Sequence, residues 1–561
     1  MNKSWEFYDI DTELCDKISK EYNISKLLAQ ILINKNITKD KDIEKFLNPK
    51  RSDFYDPFLM PDMEKAVNRI IEAKNNQEKV LIYGDYDVDG ITSTTVLKNF
   101  LKEIGIDADY HIPDRLNEGY GLNNNAIEEI ASKGIQLMIT VDCGISGVEE
   151  TEYAKTKGID VIITDHHEPG EILPDAIAVV DAKLKTNKYP FNQLAGVGVV
   201  FKLIQALSIE LNIDEKEYLK YLDLVCLGTI SDIVPLVDEN RVIAKLGLKL
   251  FNVTKNIGLK TLLNSTGYNI ADSSTISFGI APRINACGRM GHANKALELL
   301  LSQDKNEVIE LTEKLNNYNR ERQEKEKIIF AEALQQIDNN ETKNPAIILG
   351  KEGWHHGVTG IVSSKITEMF FKPSILIGFE GNAGKGSGRS IPGIDLHDIV
   401  LKCSKKLEKC GGHAMAIGLS IKKENFEEFK NEINNYLKDK KIEDIKQIIK
   451  VDGIANIKDL SIEAVEELKL LEPFGESNKM PLFCFKNLKI DSIRALTEGK
   501  HLKLNLRDDN MTINAIGFNL GDKVNEFKIG DKIDIVGALE INEYNGIKNI
   551  QINFKDLMKS L

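Results

Sequence analysis

Four short apolar runs in the first third of the chain each end on an acidic side chain. Val80-Leu81-Ile82-Tyr83 runs into Gly84-Asp85-Tyr86-Asp87-Val88-Asp89-Gly90, and Leu137-Met138-Ile139-Thr140-Val141 into Asp142. Val161-Ile162-Ile163-Thr164 leads to Asp165-His166-His167, and Ala176-Ile177-Ala178-Val179-Val180 to Asp181. Unbroken apolar runs of this length suit strands buried on both faces, and the stretches between them are long enough for crossover helices. A doubly wound parallel sheet follows, with its ligand site beyond the carboxyl ends of the strands. One acidic residue at a strand end can be a helix N-cap. Four are poorly explained that way, because crowded carboxylates lose stability unless cations neutralise them.

The ligand types narrow the ion. Carboxylates with imidazoles and no thiolate suit Mn²⁺ or Mg²⁺ better than structural zinc. Aspartates at alternate positions of one loop can face two neighbouring ion positions, and a pair of ions about 4 Å apart clamps a phosphoryl group for in-line attack. A calcium-binding loop is excluded: the twelfth position counted from Asp85, where a bidentate Glu belongs, is Val96.

The rest of the 561 residues divides by pattern. Residues 1 to about 60 read as a mixed helical N-terminal extension and 61–302 as the α/β core. One long helix over 303–338, charged through Arg320 to Lys327, reads as a solvated linker. A second α/β unit over 339–445 carries glycine-rich loops at Gly384 to Ser390 and Gly411 to Ala414. Strand signals at 502–506, 512–516 and 533–536 with an Asn545-Gly546 hairpin give a small β-barrel within 446–561.

Composition excludes several classes. No apolar run approaches the roughly 18 residues of a membrane span, and the N-terminus lacks the features of a secretion signal, so a cytoplasmic protein is expected. Seven scattered cysteines without a C-x-x-C pair fit neither a disulfide framework nor a zinc site. The formal net charge of −13 means that any nucleic acid must follow a local basic track.

These motifs resemble the DHH phosphoesterase superfamily, whose triplet stands here as Asp165-His166-His167. Val141-Asp142-Cys143-Gly144 and Gly228-Thr229-Ile230-Ser231-Asp232 belong to the same resemblance. Ile112-Pro113-Asp114-Arg115 with Gly119-Tyr120-Gly121, and Pro282-Arg283-Ile284-Asn285-Ala286-Cys287-Gly288-Arg289, are similar to its RecJ branch of single-stranded-DNA exonucleases. The resemblance implies a DHH core, a DHH-associated nucleic-acid-binding domain and an OB-fold tail.

It further implies two Mn²⁺ or Mg²⁺ ions on Asp85, Asp87, Asp89, Asp142, His166 and Asp232, with Asp142 bridging. His167 would meet the scissile phosphate and Asp165 would orient its neighbours. Arg115, Arg283, Asn285 and Arg289 become candidate phosphate contacts, joined by Lys385, Ser387, Arg389 and His413 of the second unit. Tyr83 stands where many superfamily members place a histidine, which leaves the partition of ligands between the ions open. Expected partners are single-stranded DNA, a single-strand-binding protein and a helicase, with no membrane and a monomeric chain. The implied activity is 5′-to-3′ hydrolysis of single-stranded DNA to mononucleotides. The alternatives are a small-substrate phosphodiesterase or pyrophosphatase of the same superfamily, and an inactive replication scaffold that has lost its ligands.

Overall fold

The computed structural model describes residues 3–115, 117–338, 341–403 and 406–560, which form two compact units. One comprises the described residues of Tyr55–Val234 and Leu246–Ile445, the other those of Met1–Phe54, Pro235–Lys245 and Lys446–Leu561.

The first unit holds two sheets. Strands β1 (Val80–Tyr83), β2 (Asp109–His111), β3 (Leu137–Val141), β4 (Asp160–Thr164) and β5 (Ala178–Val180) are all parallel, in the order β2-β1-β3-β4-β5. Every residue of β1 and β3 is buried, which is why both read as unbroken apolar runs. Chain direction across the sheet reverses between β1 and β3, so a crevice opens beyond their carboxyl ends. Two helices packed on each other, α1 (Val88–Glu103) and α2 (Gly196–Glu210), present their N-termini there.

Helix α3 (Ala281–Arg289) packs on the 32-residue α4 (Lys305–Gln336), which also packs on α5 (His356–Phe370). The charged middle of α4 is largely solvated, with Arg320, Glu321, Gln323, Glu324 and Lys327 exposed, but one face of the helix is packed. Val308, Leu311, Leu315, Asn319, Glu326, Ile329 and Ala333 form one buried stripe at helical spacing, and it runs straight through the charged middle. The second sheet contains β6 (Ile347–Glu352), β7 (Ser374–Glu380), β8 (Ala383–Arg389), β9 (Leu407–His413) and β10 (Ala416–Lys422), in the order β9-β10-β8-β7-β6. Only β6 and β7 run parallel.

The glycine-rich stretch expected as a loop is therefore a strand, β8. A Cβ on Gly384, Gly386 or Gly388 would come within 2.6–2.7 Å of Phe379, Ile377 or Ile417, so the glycines clear one face for packing. Alternation then turns Lys385, Ser387 and Arg389 to the other face.

In the second unit, strands Phe483–Leu496, His501–Asp508, Met511–Gly517, Ile547–Lys559 and Lys532–Tyr544 close into a barrel, the first pairing with the last. Asn545 and Gly546, at φ 50° and 77°, form its two-residue hairpin turn. Strand Lys3–Phe7 pairs with Gln447–Val451, and Leu28, Ile31 and Phe46 share one core with Phe483, Leu504 and Phe554. Arg241, 1% exposed, lies 3.7 Å from the Phe46 ring centroid and donates to the carbonyls of Phe46, Leu470 and Leu471.

Candidate metal centre and phosphate site

The loop after β1 turns directly into α1, and its aspartates divide the work. Asp87 is the N-cap, accepting from the backbone N–H groups of Asp89 and Gly90 at 2.9 and 3.1 Å. The capping alternative holds for this residue, and its carboxylate still lies among the cluster. Asp89, inside the first turn of α1, accepts from Gly196 and Val197 at the N-terminus of α2 at 2.6 and 2.9 Å. Asp142 follows β3 in a left-handed conformation, φ 61°, a strained geometry held by its surroundings. Glycine is required opposite it: a Cβ on Gly196 would stand 2.6 Å from the Asp142 side chain.

Three overlapping groups of donor atoms result: Asp85, Asp87 and Asp142; Asp89, His166 and Asp232; and Asp142, His166 and His167. Within each, the atoms lie inside 4.8 Å of one another, so all six expected ligands converge and Asp142 belongs to two groups. His166 Nε2 is 3.1 Å from Asp142 Oδ1, 3.6 Å from Asp232 Oδ2 and 3.9 Å from Asp89 Oδ2. Asp85 Oδ1, Asp142 Oδ1 and His166 Nε2 are buried without a hydrogen-bond partner. Buried polar atoms are almost always satisfied, so these orphans in one place fit cation ligation.

The electrostatics agree. Burial, reinforced by neighbouring carboxylates, raises Asp85 and Asp142 well above the ordinary range, Asp89 to about 7 and Asp232 to about 9. Burial and the adjacent His167 hold His166 down at about 3, leaving a neutral imidazole able to ligate. Asp181, the fourth acidic strand end, is buried and caps the Lys183 N–H at 2.7 Å, and it is in none of the three groups.

Asp165 is fully buried and accepts from the backbone of Ile145, His166 and His167 and from His167 Nδ1 at 2.7 Å. Burial opposes its ionisation, but the hydrogen bond and charge of His167 lower its pKa. Conversely, burial disfavours the His167 cation, yet Asp165 raises it to about 9. The Tyr120 hydroxyl stands 3.1 Å from His167 Nδ1, a placement sequence reasoning missed although Gly119-Tyr120-Gly121 was in view. The flanking glycines, at φ 88° and 85°, turn the loop so that Tyr120 reaches the centre. Tyr83, by contrast, donates to the Gly121 carbonyl at 3.1 Å and joins none of the donor groups.

A second cluster is basic. Arg289 is driven down to about 9 by burial and then by Arg115, Arg322 and Arg389 around it. It donates to the Gly357 carbonyl at 2.9 Å, Arg389 donates to the Gly388 carbonyl at 2.8 Å, and Arg115 lies over Tyr86 at 5.0 Å. A Cβ on Gly360 of α5 would meet Ser387 and Arg389 at 3.3 Å, so that glycine admits both to the site. Half-buried guanidiniums whose charges oppose one another favour an anion, and phosphate is one their fork geometry fits. Arg322 was missed because it sits in the charged stretch of α4, where it pairs with Glu326 at 2.5 Å.

The remaining expected contacts scatter. Asn285 is half-buried one helical turn before Arg289 on α3. Arg283 occupies another face of α3, tied to Asn316 Oδ1 at 2.7 Å and to the Gly279 carbonyl. Lys385 is exposed on β8, and His413 is exposed at the end of β9.

Residues 79–229 match the DHH family N-terminal domain, 343–439 the DHHA1 domain and 451–556 the RecJ OB domain. The single-stranded-DNA-specific exonuclease RecJ of Bacillus subtilis (strain 168) is 40% identical over 559 residues, covering 98% of this chain and 70% of that protein. The chain belongs to the RecJ family. The crystal structure of RecJ from Thermus thermophilus in complex with Mn²⁺ superimposes with a TM-score of 0.87 at 28% identity, covering 99% of this chain and 80% of that one. Its Mg²⁺ complex gives 0.80 at 27% identity, covering 99% and 78%. The chain is therefore a mixed α/β protein with a parallel DHH core, acidic groups able to hold metal ions and a C-terminal OB barrel. No described helix is long and apolar enough to cross a membrane.

Proposed function

We propose that the protein is a single-stranded-DNA-specific exonuclease that hydrolyses from the 5′ end to mononucleotides with two Mn²⁺ or Mg²⁺ ions. The observation that carries this reading is the pairing of a buried cluster of unsatisfied metal-ligand atoms with a half-buried cluster of guanidiniums. Asp85, Asp87, Asp89, Asp142, His166 and Asp232 would hold the ions, with Asp142 in two of the three donor groups. Ions held there supply Lewis-acid chemistry for in-line displacement at phosphorus.

The chain's own groups do the rest. Asp165 fixes His167 through Nδ1, so the cationic imidazole donates to a phosphate oxygen as charge develops. Arg289, Arg389, Arg115 and Ser387, with Asn285 beside them, hold the phosphate in place. Lys385, His413 and Arg283 contact the strand farther out. The division into an extension to residue 60, core 61–302, α4 region 303–338, DHH-associated domain 339–445 and OB domain 446–561 belongs to the same proposal. So do a cytoplasmic, monomeric enzyme, a role in DNA repair and recombination, and partnership with a single-strand-binding protein and a helicase.

Incubation with single-stranded and blunt duplex DNA labelled at either end, under Mn²⁺, Mg²⁺ or chelator, tests the reading. Metal-dependent release of labelled mononucleotide from the 5′ end of the single strand is expected. Release from the 3′ end, or cleavage in excess chelator, contradicts it.

A further inference from the structure

A groove of about 690 Å³ lies on the Arg283 side of α3, between that helix, α4 and the π-helical turn Thr275–Ile280. Its size is that of a small-ligand cleft, typically about 300–1,000 Å³. Arg283, Arg320 and Arg322 line it against a single carboxylate, Glu313, in a chain whose net charge is −13. Arg283 is pinned by Asn316 and the Gly279 carbonyl, and Arg320 by Asn317, so the guanidiniums are held in place.

One aromatic side chain, Phe278, lines the groove. Phe278 is 80% exposed on the rim, where the π-turn extrudes it while Thr275, Ile276, Gly279 and Ile280 stay buried. Tyr268, 53% exposed, stands beside Gly279, whose added Cβ would meet its ring at 3.6 Å. π-helical turns are frequent at functional sites, and this one sets Phe278 at the mouth of a groove lined by guanidiniums. Exposed rings for stacking, guanidiniums for phosphate and amides for base edges are together the chemistry of a nucleotide site on a single strand. Arg322 lines this groove, and its charge is also felt by Arg289 of the phosphate cluster.

We propose that this groove is a second nucleotide-binding site, which takes a base and its phosphate from the single strand beyond the scissile bond. The inference rests on the single-strand exonuclease reading, and its test separates the two. Phe278 and Arg320 are exposed and stand apart from the residues assigned to the ions and the scissile phosphate, so F278A/R320A should melt like the wild type. Anisotropy of a long labelled oligothymidylate in excess chelator should show roughly tenfold weaker binding by the variant. Metal-supported hydrolysis of a 5′-phosphorylated dinucleotide, too short to span both sites, should be unchanged. Equal binding of the long strand by both proteins overturns the proposal, as does an equal loss on the dinucleotide. Unchanged strand binding with weakened product inhibition by thymidine monophosphate also overturns it, and assigns the groove to the released nucleotide. A wild-type enzyme that cleaves neither substrate instead refutes the exonuclease reading.

Discussion

The carboxylate cluster and the arginine cluster are opposite in sign but alike in energetics. Each gathers like charges that repel, most of the carboxylates buried and the guanidiniums half-buried. Asp85, Asp142 and His166 leave atoms unsatisfied, and Arg289 is held mainly by one carbonyl. Neither arrangement stabilises the fold by itself, so both are explained by the ligand each awaits, cations for one and phosphate for the other. They differ in how they are built. The acidic set comes from neighbouring strand ends of one sheet, joined by Asp232 at the end of the helix Leu222–Ser231, whereas Arg115, Arg289, Arg322 and Arg389 come from four distant segments.

The largest effect should follow from Asp142→Ala, because that carboxylate belongs to two of the three donor groups. Turnover should fall by more than the roughly 10–100-fold typical of losing an outer partner of a metal ligand. Mn²⁺ titration by calorimetry should lose at least one site. Near-normal kcat with full stoichiometry would remove the bridging role.

Arg289→Ala should break the other cluster alone. A charged hydrogen bond is worth about 1.5–3 kcal/mol, so kcat/KM should drop roughly 10–150-fold with Mn²⁺ affinity intact. A matching loss of Mn²⁺ affinity would place Arg289 with the metal ligands. Tyr120→Phe, which removes only the hydroxyl beside His167, should lower kcat a few-fold, with single-strand binding unchanged. Weaker binding at unchanged kcat would make Tyr120 a substrate contact instead.

A smaller but diagnostic effect concerns pH. In metal-free protein the raised carboxylates, Asp89 near 7 and Asp232 near 9, bind more protons folded than unfolded. Their contribution to stability is therefore complete below about pH 4 and is lost as pH rises through 7 to 9. Thermal melting in chelator should decline across that window, and the gain on adding Mn²⁺ should widen. A gain independent of pH would mean that the ions displace no protons from the cluster.

The same contrast explains what was legible in the sequence. Asp85, Asp87, Asp142 and His166 were readable because a buried parallel strand announces itself as an apolar run and its carboxyl end marks the site. Arg322 was not, since a charged helical stretch looks solvated until the neighbours of its inner face are known. Gly384, Gly386 and Gly388 looked like a phosphate loop, but their alternate spacing was already that of a strand with one face cleared for packing. Nor could residues 3–54 announce that Leu28, Ile31 and Phe46 share a core with the barrel some 450 residues later, a pairing with no local signature. Deleting the barrel alone should accordingly expose that core and lower expression of soluble protein.

The central claim is that the buried carboxylates form one two-ion site. Anomalous diffraction at the manganese edge, on crystals grown with Mn²⁺, tests it most directly. The account predicts two peaks about 4 Å apart, contacted by Asp85, Asp87, Asp89, Asp142, His166 and Asp232 with Asp142 touching both. Absence of manganese from this cluster, or a single ion that leaves Asp85 or Asp232 unligated, would contradict it.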